Sequence, residues 1–167
     1  MRSASSVAKP LHAAQMLRVR RASVADAATV VDVSARAYAT ISALVPYPSL
    51  TQADVAAFLK RPNAGAYISL CGRLPVGSVS FVHDRQVLQL FRLGVLPSHR
   101  RRGIAQALID AVESHAKRKR VRIVFLQTAA VLELAPYYER LGYQIKGEEA
   151  DTAGGRPITR IDLYRMV

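Results

Sequence analysis

One stretch of the chain constrains the fold more than any other, because a strand pattern, a basic loop and a helix pattern follow one another in it. Residues 86–95 are short and largely apolar, which is typical of a strand buried on both faces. Pro97 ends this run, and the arginines Arg100–Arg102 follow it. From Ile104 onward, apolar residues recur at the spacing of one helix face. This order predicts a strand–turn–helix unit of an α/β domain.

The loop at Arg100–Arg102 has the composition of an anion site. The amides of residues 101–105 are expected to be the unpaired donors of a helix N-terminus, and Gly103 and Ala105 leave room for a ligand to approach the backbone. The arginine side chains add positive charge. The segment therefore predicts a phosphate or pyrophosphate site.

Two segments of the chain together resemble one known family. The pattern Arg100-x-x-Gly103-x-Ala105, preceded by Leu93-x-Val95-x-Pro97, is similar to the acetyl-coenzyme A (acetyl-CoA) signature of the GNAT acetyltransferase superfamily. The run Tyr138-Glu139-Arg140-Leu141-Gly142-Tyr143 is similar to the tyrosine-bearing helix end of that family. The resemblance implies an acetyl-CoA-dependent N-acetyltransferase, with acetyl-CoA as the acyl donor and a primary amine as the acceptor.

The resemblance also implies which residues bind and react. Coenzyme binding is expected at Leu93, Gly94, Val95, Arg100, Arg101, Arg102, Gly103, Ile104 and Ala105. Tyr138 is expected to act as the general acid that protonates the departing thiolate, and the backbone N–H of Val95 to stabilise the developing oxyanion. Tyr137 is the adjacent alternative, but the spacing to Gly142 in the family pattern selects Tyr138.

Two departures from the family pattern leave part of the chemistry open. Residues 86–95 contain no Asp or Glu for the general base that family members often carry on this strand. His83, Asp84 and Glu133 are distant candidates, and none of them is assigned this role. Val131 stands where the family often has an asparagine that contacts the cofactor, so one expected contact is missing.

The rest of the chain fits a single α/β domain. The resemblance implies a GNAT-like mixed, twisted sheet of about six to seven strands flanked by about four helices, with a splayed central parallel strand pair and Gly94 at its bulge. The polar, acidic and Gly-rich stretch between strands at 143–146 and 158–166 predicts a loop. The N-acetyltransferase domain is expected over residues 16–167, after a disordered tail at 1–15 for which weak organelle targeting is the alternative.

Composition narrows the classes of function. The chain of 167 residues is 50% hydrophobic and has a net charge of +12, which suits a core-forming domain with polyanionic ligands. The single cysteine, Cys71, excludes an internal disulfide and agrees with a cytoplasmic location. No stretch approaches the ~18 consecutive apolar residues of a membrane span. No metal is expected, because the histidines at 12, 83, 99 and 115 form no ligand cluster.

Three functions remain open at this stage. The first is an N-acetyltransferase acting on a small amine or on a lysine or amino terminus of a protein, with Tyr38, Tyr47 and Ser49 on one wall of its acceptor site by resemblance. The second is a catalytically degenerate acetyl-CoA-binding protein. The third is a basic nucleic-acid-binding module that uses Arg100–Arg102 and Lys117–Arg120, although these clusters lack interleaved aromatic residues. The sequence is compatible with a monomer and with a homodimer.

Overall fold

The computed structural model describes residues 16 to 167, in which seven strands form one mixed sheet. The strands are β1 (Leu17–Arg21), β2 (Ala64–Cys71), β3 (Leu74–His83), β4 (Val87–Val95), β5 (Ile123–Ala129), β6 (Gln144–Ala153) and β7 (Arg156–Met166). They lie across the sheet in the order β1-β2-β3-β4-β5-β7-β6. Only β4 and β5 are parallel neighbours among them. The expected mixed sheet is confirmed.

Four α-helices cover the described sheet. They are α1 (Ala27–Tyr38), α2 (Gln52–Leu59), α3 (Ile104–Arg118) and α4 (Ala135–Arg140). The helices α1 and α2 pack on one face of β2 through Ala66 and Ile68, whereas α3 and α4 belong to the core that contains Tyr67. Because neighbouring residues of a strand point to opposite faces, β2 contributes to both cores and the helices form two layers around the sheet.

Side chains cap the 3₁₀ turn Val24–Asp26, which leads into α1, and the start of α2. The Asp26 carboxylate accepts the Ser23 amide proton at 2.7 Å and binds the guanidinium of Arg20 at 2.7 and 2.8 Å. Thr51 caps α2 by accepting the amide proton of Asp54 at 3.1 Å. These bonds satisfy amides that the first helical turn leaves without partners.

The parallel strands β4 and β5 pair only where they begin. Their register runs from Val87 opposite Ile123 to Gln89 opposite Phe125 and stops there. Beyond this point β4 remains bonded to β3, and β5 remains bonded to β7. The two strands therefore diverge and open a wedge in the middle of the sheet, which confirms the expected splayed pair.

The bulge of β4 lies next to Gly94 and not at it, which corrects the expectation. Arg92 and Leu93 together stand opposite one residue of β3, Val79, and Arg92 is left-handed with φ 51°. Gly94 is required for a different reason, since a Cβ at this position would lie 2.8 Å from the Cβ of Ala37. Gly94 therefore allows α1 to approach the strand closely.

The prediction of a loop in the acidic segment after Tyr143 is wrong, because most of this segment is strand. β6 and β7 form one long hairpin that turns at Gly154 and Gly155, both with positive φ. Across the hairpin, Arg160 binds Glu149 and, at 2.8 Å, Asp151. The acidic residues that suggested a loop are thus cross-strand partners of an arginine.

The expected extent of the domain, residues 16–167, stays a prediction. The expected tail at residues 1–15 lies outside the described residues. In the described part of the chain, no helix is both long enough and apolar enough to cross a membrane. Cys71 ends β2, is partly buried and packs against the core.

Candidate functional site

The wedge between β4 and β5 opens into a cleft of about 1130 Å³ that is lined from both faces of the sheet. On the face that carries α3, the lining comes from residues 99–101 and 103–106 and from α4. On the face that carries α1, it comes from the connection between α1 and α2 at residues 41–48 and from the tip of the β6–β7 hairpin. These two parts are named the α3 side and the α1 side of the cleft.

The basic loop, residues 97–103, and the first turn of α3 contain backbone N–H groups without a backbone partner among the described residues. Among the described residues, the amides of 101–106 have no backbone carbonyl partner, and the first bond of this helix start joins Ala107 N–H to Gly103 O at 3.0 Å. Arg101 and Gly103 are both left-handed, with φ of 60° and 76°. A Cβ at Gly103 would have no heavy atom within 4 Å. The loop therefore combines free donors with open space, as an anion site requires.

Arg100 is committed to contacts within the protein. Its Nε donates to Val95 O at 3.1 Å, and its Nη2 donates to Ala37 O at 2.9 Å and to Thr40 Oγ1 at 3.1 Å. These bonds satisfy a carbonyl at the C-terminal end of α1 and tie that end to β4. These guanidinium donors are therefore already in use.

The other expected coenzyme-binding residues divide into two groups. Those that line the cleft are Leu93, Gly94, Val95, Arg101, Gly103, Ile104 and Ala105. Arg102 is exposed and lies outside the lining. The structure therefore brings most of the expected set to one cavity.

The backbone N–H of Val95 faces the wedge. Leu96 N–H donates to Val76 O at 2.8 Å, so this residue pair forms the hydrogen-bonded pair of the antiparallel ladder. Successive amides along a strand point to opposite sides, so the preceding amide, that of Val95, points away from β3. On that side β5 has already diverged, which leaves the Val95 amide directed toward the cleft.

Tyr138 is held on α4, which begins with Pro136 in its first turn and is followed by Gly142 in a left-handed conformation. Its side chain is 7% exposed, lines the cleft and packs edge-on against Tyr137 and Tyr143. No hydrogen bond joins its hydroxyl group to another described residue. Burial raises the pKa of Tyr138 well above its ordinary value, so the phenol stays protonated at neutral pH.

The sequence analysis missed a buried carboxylate that supports the surroundings of Tyr138. Glu113 is 6% exposed, accepts the hydroxyl proton of Tyr143 at 3.0 Å and binds Arg165 with 3.1 Å to each oxygen. Because Tyr143 packs on Tyr138, this network holds the ring against which Tyr138 packs. The partners lie far apart in the chain, so the only sequence signal was an acidic residue on the apolar face of α3.

The α1 side of the cleft has a cationic and aromatic lining. Tyr38 donates to Leu93 O at 3.0 Å and packs against Tyr47 with ring centroids 4.6 Å apart. Arg92 projects from the β4 bulge and donates to Pro48 O at 3.3 Å. Burial raises the pKa of both phenols, and the nearby positive charge of Arg92 opposes that rise. Arg92 was missed, although it is the one charged residue in an otherwise uncharged strand.

The general base stays unassigned. Among the described residues that line the cleft, Glu133 is the only acidic one, and it follows the turn that carries exposed Val131. His83 and Asp84 lie outside the cleft lining, and Asp84 accepts two backbone amide protons of its own turn. Ser49 also lies outside the lining.

No group of three or more histidine, cysteine and acidic side chains with metal-site spacing occurs within residues 16–167. The second basic cluster, Lys117–Arg120, lies at the C-terminal end of α3, opposite the basic loop. At 1.5 Å per residue, a helix of this length separates the two clusters by roughly 22 Å. They therefore do not form one continuous basic surface.

The comparisons with known proteins agree with this geometry. A sequence model of the Acetyltransferase (GNAT) family matches residues 33–143. A curated relative is the Mus musculus protein named "Probable N-acetyltransferase family 8 member 5", which is 32% identical over 90 residues. That alignment covers 53% of this chain and 39% of the mouse protein, so the chain matches less than half the length of this relative.

Several solved structures have a similar fold. The ribosomal-protein-S18-alanine N-acetyltransferase from Escherichia coli superposes with a TM-score of 0.77 at 15% identity, over 91% of this chain and 94% of that one. A putative acetyltransferase from Salmonella typhimurium with its cofactor acetyl-CoA gives 0.75 at 15% identity, over 90% and 93%. An acetyltransferase of the GNAT family from Streptococcus pneumoniae gives 0.74 at 19%, over 91% and 100%. These likenesses establish the fold.

Proposed function

The chain belongs to the acetyltransferase (GNAT) family, and from this premise we propose that it is an N-acetyltransferase that moves the acetyl group of acetyl-CoA to a primary amine. One observation carries the proposal. The open amides of the basic loop, the outward amide of Val95 and the hydroxyl group of Tyr138 all border the same cleft. A site of this kind can hold a polyanionic thioester, polarise its carbonyl group and supply a proton.

The basic loop fits the pyrophosphate of acetyl-CoA. The unused amides of residues 101–106 are donors for phosphate oxygens, and the helix dipole of α3 favours negative charge at the same place. The open space at Gly103 gives the phosphates access to the backbone. Arg101 adds positive charge from the cleft lining. The Salmonella typhimurium protein of the same fold was solved with acetyl-CoA, which supports this choice of acyl donor.

The residues of the wedge carry the transfer step. Acetyl-CoA supplies the acetyl group as a thioester. The amine nitrogen forms a bond to the carbonyl carbon, and the Val95 N–H donates to the oxygen that becomes negative. The C–S bond breaks, and Tyr138 gives its proton to the thiolate sulfur. The surplus proton of the amine passes through water in the cleft and restores the phenol, so one proton moves in total from amine to thiol.

The raised pKa of Tyr138 is compatible with this role. A phenol that stays protonated at neutral pH always carries the proton that it must give. The same water-poor surroundings disfavour a thiolate, which raises the basicity of the sulfur as well. The difference in proton affinity between donor and acceptor is therefore smaller than the pKa of Tyr138 alone suggests.

One observation favours coenzyme binding without catalysis as a second candidate. β4 has no carboxylate, and Glu133 is the only acidic residue in the described cleft lining. Many amines are protonated at neutral pH, so a site without a base depends on water to take that proton. Turnover separates the two candidates, because both bind acetyl-CoA. The nucleic-acid alternative gains no support from the geometry, since its two basic clusters lie at opposite ends of α3.

The proposal is tested by measuring thiol release from acetyl-CoA in the presence of amines, for the wild type and for Tyr138→Phe. The variant keeps the ring and its packing but lacks the proton. We expect kcat to fall roughly 10²-fold to 10⁴-fold, with little change in the dissociation constant of acetyl-CoA from calorimetry.

Tyr137→Phe is the matched control, because Tyr137 is adjacent, lines the same cleft and is only half-buried. It should remain nearly as active as the wild type. If Tyr137→Phe loses thiol-release activity and Tyr138→Phe keeps it, the assignment of the general acid is wrong. A wild type that binds acetyl-CoA but releases no thiol with any amine would contradict the catalytic proposal itself.

A further inference from the structure

Arg92 has no carboxylate partner within 4.0 Å among the described residues, although it lines the cleft. By contrast, Arg160, which also lines the cleft, is bound by three carboxylates, those of Glu149, Asp151 and Asp162. The only hydrogen bond of Arg92 to a described residue goes to Pro48 O at 3.3 Å. A partly buried guanidinium with spare donors is therefore present on this side.

The backbone holds Arg92 in an unusual place. The residue occupies the left-handed region in the middle of β4, where an L side chain is strained. Its guanidinium reaches Pro48 O, next in the chain to Tyr47, and Tyr38 bonds to the following residue of the strand, Leu93. The guanidinium is thus held on the α1 side of the cleft, with one carbonyl partner and its remaining donors free among the described residues.

The α1 side is also roofed. The tip of the β6–β7 hairpin touches the α1–α2 connection, where a Cβ at Gly154 would lie 2.7 Å from Pro46 Cγ. Arg156 adds a bond from Nη1 to Ala43 O at 2.9 Å. The two segments therefore close over the cleft from opposite directions. Such a roof favours a small acceptor over an extended polypeptide or a lysine on a protein surface.

We infer that the acceptor is a small primary amine that also carries an oxyanion group, and that Arg92 binds this group while the amine faces the thioester. The inference rests on the proposed function. A guanidinium pairs with a carboxylate or a phosphate through two parallel hydrogen bonds, which fixes orientation as well as charge. Amino acids and aminoalkyl phosphates share this chemistry, and matched compounds distinguish them.

The experiment measures thiol release from acetyl-CoA with matched acceptors. Each common L-amino acid is compared with its carboxamide, which lacks the negative charge and has a less basic amine, and phosphoethanolamine is compared with ethanolamine, with kcat/KM calculated from the concentration of unprotonated amine. A lysine peptide with every carboxyl group amidated represents polypeptide acceptors. For at least one matched pair, kcat/KM should favour the anionic member roughly tenfold to a hundredfold, which is the usual effect of one charged hydrogen-bonded partner.

The variants connect this preference to one side chain. Arg92→Gln should reduce the ratio of kcat/KM between anionic and uncharged members by roughly tenfold to a hundredfold. Arg92→Lys should restore part of it, because it keeps the charge but not the planar fork. Arg73→Gln is the control, since Arg73 lies exposed in the β2–β3 turn and outside the cleft lining. It should leave the ratio unchanged.

The possible outcomes separate the inference about the acceptor from the proposed acetyl transfer. Equal use of both members of every pair, an unchanged ratio in Arg92→Gln, or efficient acetylation of the amidated peptide overturns the inference but keeps the acetyltransferase. No thiol release with any amine, while acetyl-CoA binds, overturns the proposed function and the inference with it. If Arg92→Gln does not fold, calorimetry of the wild type with CoA decides instead. The N-acetylated acid must then bind more tightly than its amide, and equal affinities overturn the inference.

Discussion

The two sides of the cleft are built in different ways. The coenzyme-binding part of the α3 side is one continuous segment, in which the basic loop and the first turn of α3 present backbone amides to a single space. The α1 side is assembled from the α1–α2 connection, the β4 bulge and the β6–β7 hairpin, and its contacts join residues as far apart as Ala43 and Arg156. The basic loop thus offers backbone donors, whereas the α1 side offers side chains.

One cavity can therefore combine a coenzyme site built from backbone groups with an acceptor site built from side chains. Backbone amides tolerate substitution of the side chains around them, so the α3 side can keep one ligand while the sequence varies. The α1 side depends on which side chains are brought together, as with Arg92 beside Tyr38 and Tyr47. We therefore expect changes on the α1 side to alter acceptor use, and changes on the α3 side to alter coenzyme affinity.

We expect Gly154→Ala to give the largest difference between the effect on acceptor use and the effect on acetyl-CoA affinity. The new Cβ would meet Pro46 at 2.7 Å, and the left-handed backbone at Gly154 adds strain. The hairpin tip should move away from the α1–α2 connection, which loosens the roof. We expect kcat/KM for the acceptor to fall roughly tenfold, as small displacements of a positioning element do. The dissociation constant of acetyl-CoA, measured by calorimetry, should not change.

Gly155→Ala is the matched control for this variant. Gly155 belongs to the same turn and also has a positive φ, but a Cβ there would have no heavy atom within 4 Å. It carries the backbone strain without the contact to Pro46. An equal loss of acceptor use in both variants, or a loss of coenzyme affinity in Gly154→Ala, would break the proposed division between the two sides.

The α3 side could be predicted from the sequence because it is local. The strand, the basic loop and the helix start are contiguous, and the signals for each lie within a few residues of the element. The extent of β6 was not predictable in the same way. Its acidic residues have the composition of a loop, and only the pairing of their backbone with β7, where Arg160 binds Glu149 and Asp151, makes them part of a strand pair.

Long-range contacts explain the other differences. Gly94 could be recognised as special, but whether it bulges or admits a helix depends on Ala37, which lies far away in the chain. The bonds of Arg100 to Ala37 and Thr40 and the pairing of Glu113 with Arg165 are likewise invisible in local patterns. In each case the residue type was visible, and its partner was not.

A smaller effect concerns stability and should leave both sides of the cleft unaffected. His115 on α3 is 2% exposed, its Nε2 has no hydrogen-bond partner among the described residues, and its ring packs against Phe81. Burial, and then the positive charges of Arg21, His83, Arg118 and Lys119, lower the pKa of His115 to about 4. The ordinary value of 6.5 applies to the unfolded chain.

Between pH 6.5 and 4, the unfolded chain therefore binds a proton at His115 that the folded chain does not bind. The free energy of unfolding should fall by about 1 kcal/mol per pH unit as the pH decreases through this window. Urea titrations at several pH values measure this slope, which His115→Leu should reduce. His99→Gln is the control and should keep it. A slope that is the same in His115→Leu would show that other groups cause the acid sensitivity.

If the basic loop binds the phosphates of acetyl-CoA, a matched pair of glycine variants should differ sharply in coenzyme affinity. Gly103 and Gly155 have nearly the same φ, 76° and 77°, and each faces open space. Gly103→Glu and Gly155→Glu thus impose similar backbone strain and the same charge, but only the first places that charge in the loop. By calorimetry, Gly103→Glu should lose acetyl-CoA affinity by roughly a hundredfold or more, because like charges in a binding site repel strongly, while Gly155→Glu keeps it. Unchanged affinity in Gly103→Glu would contradict the account.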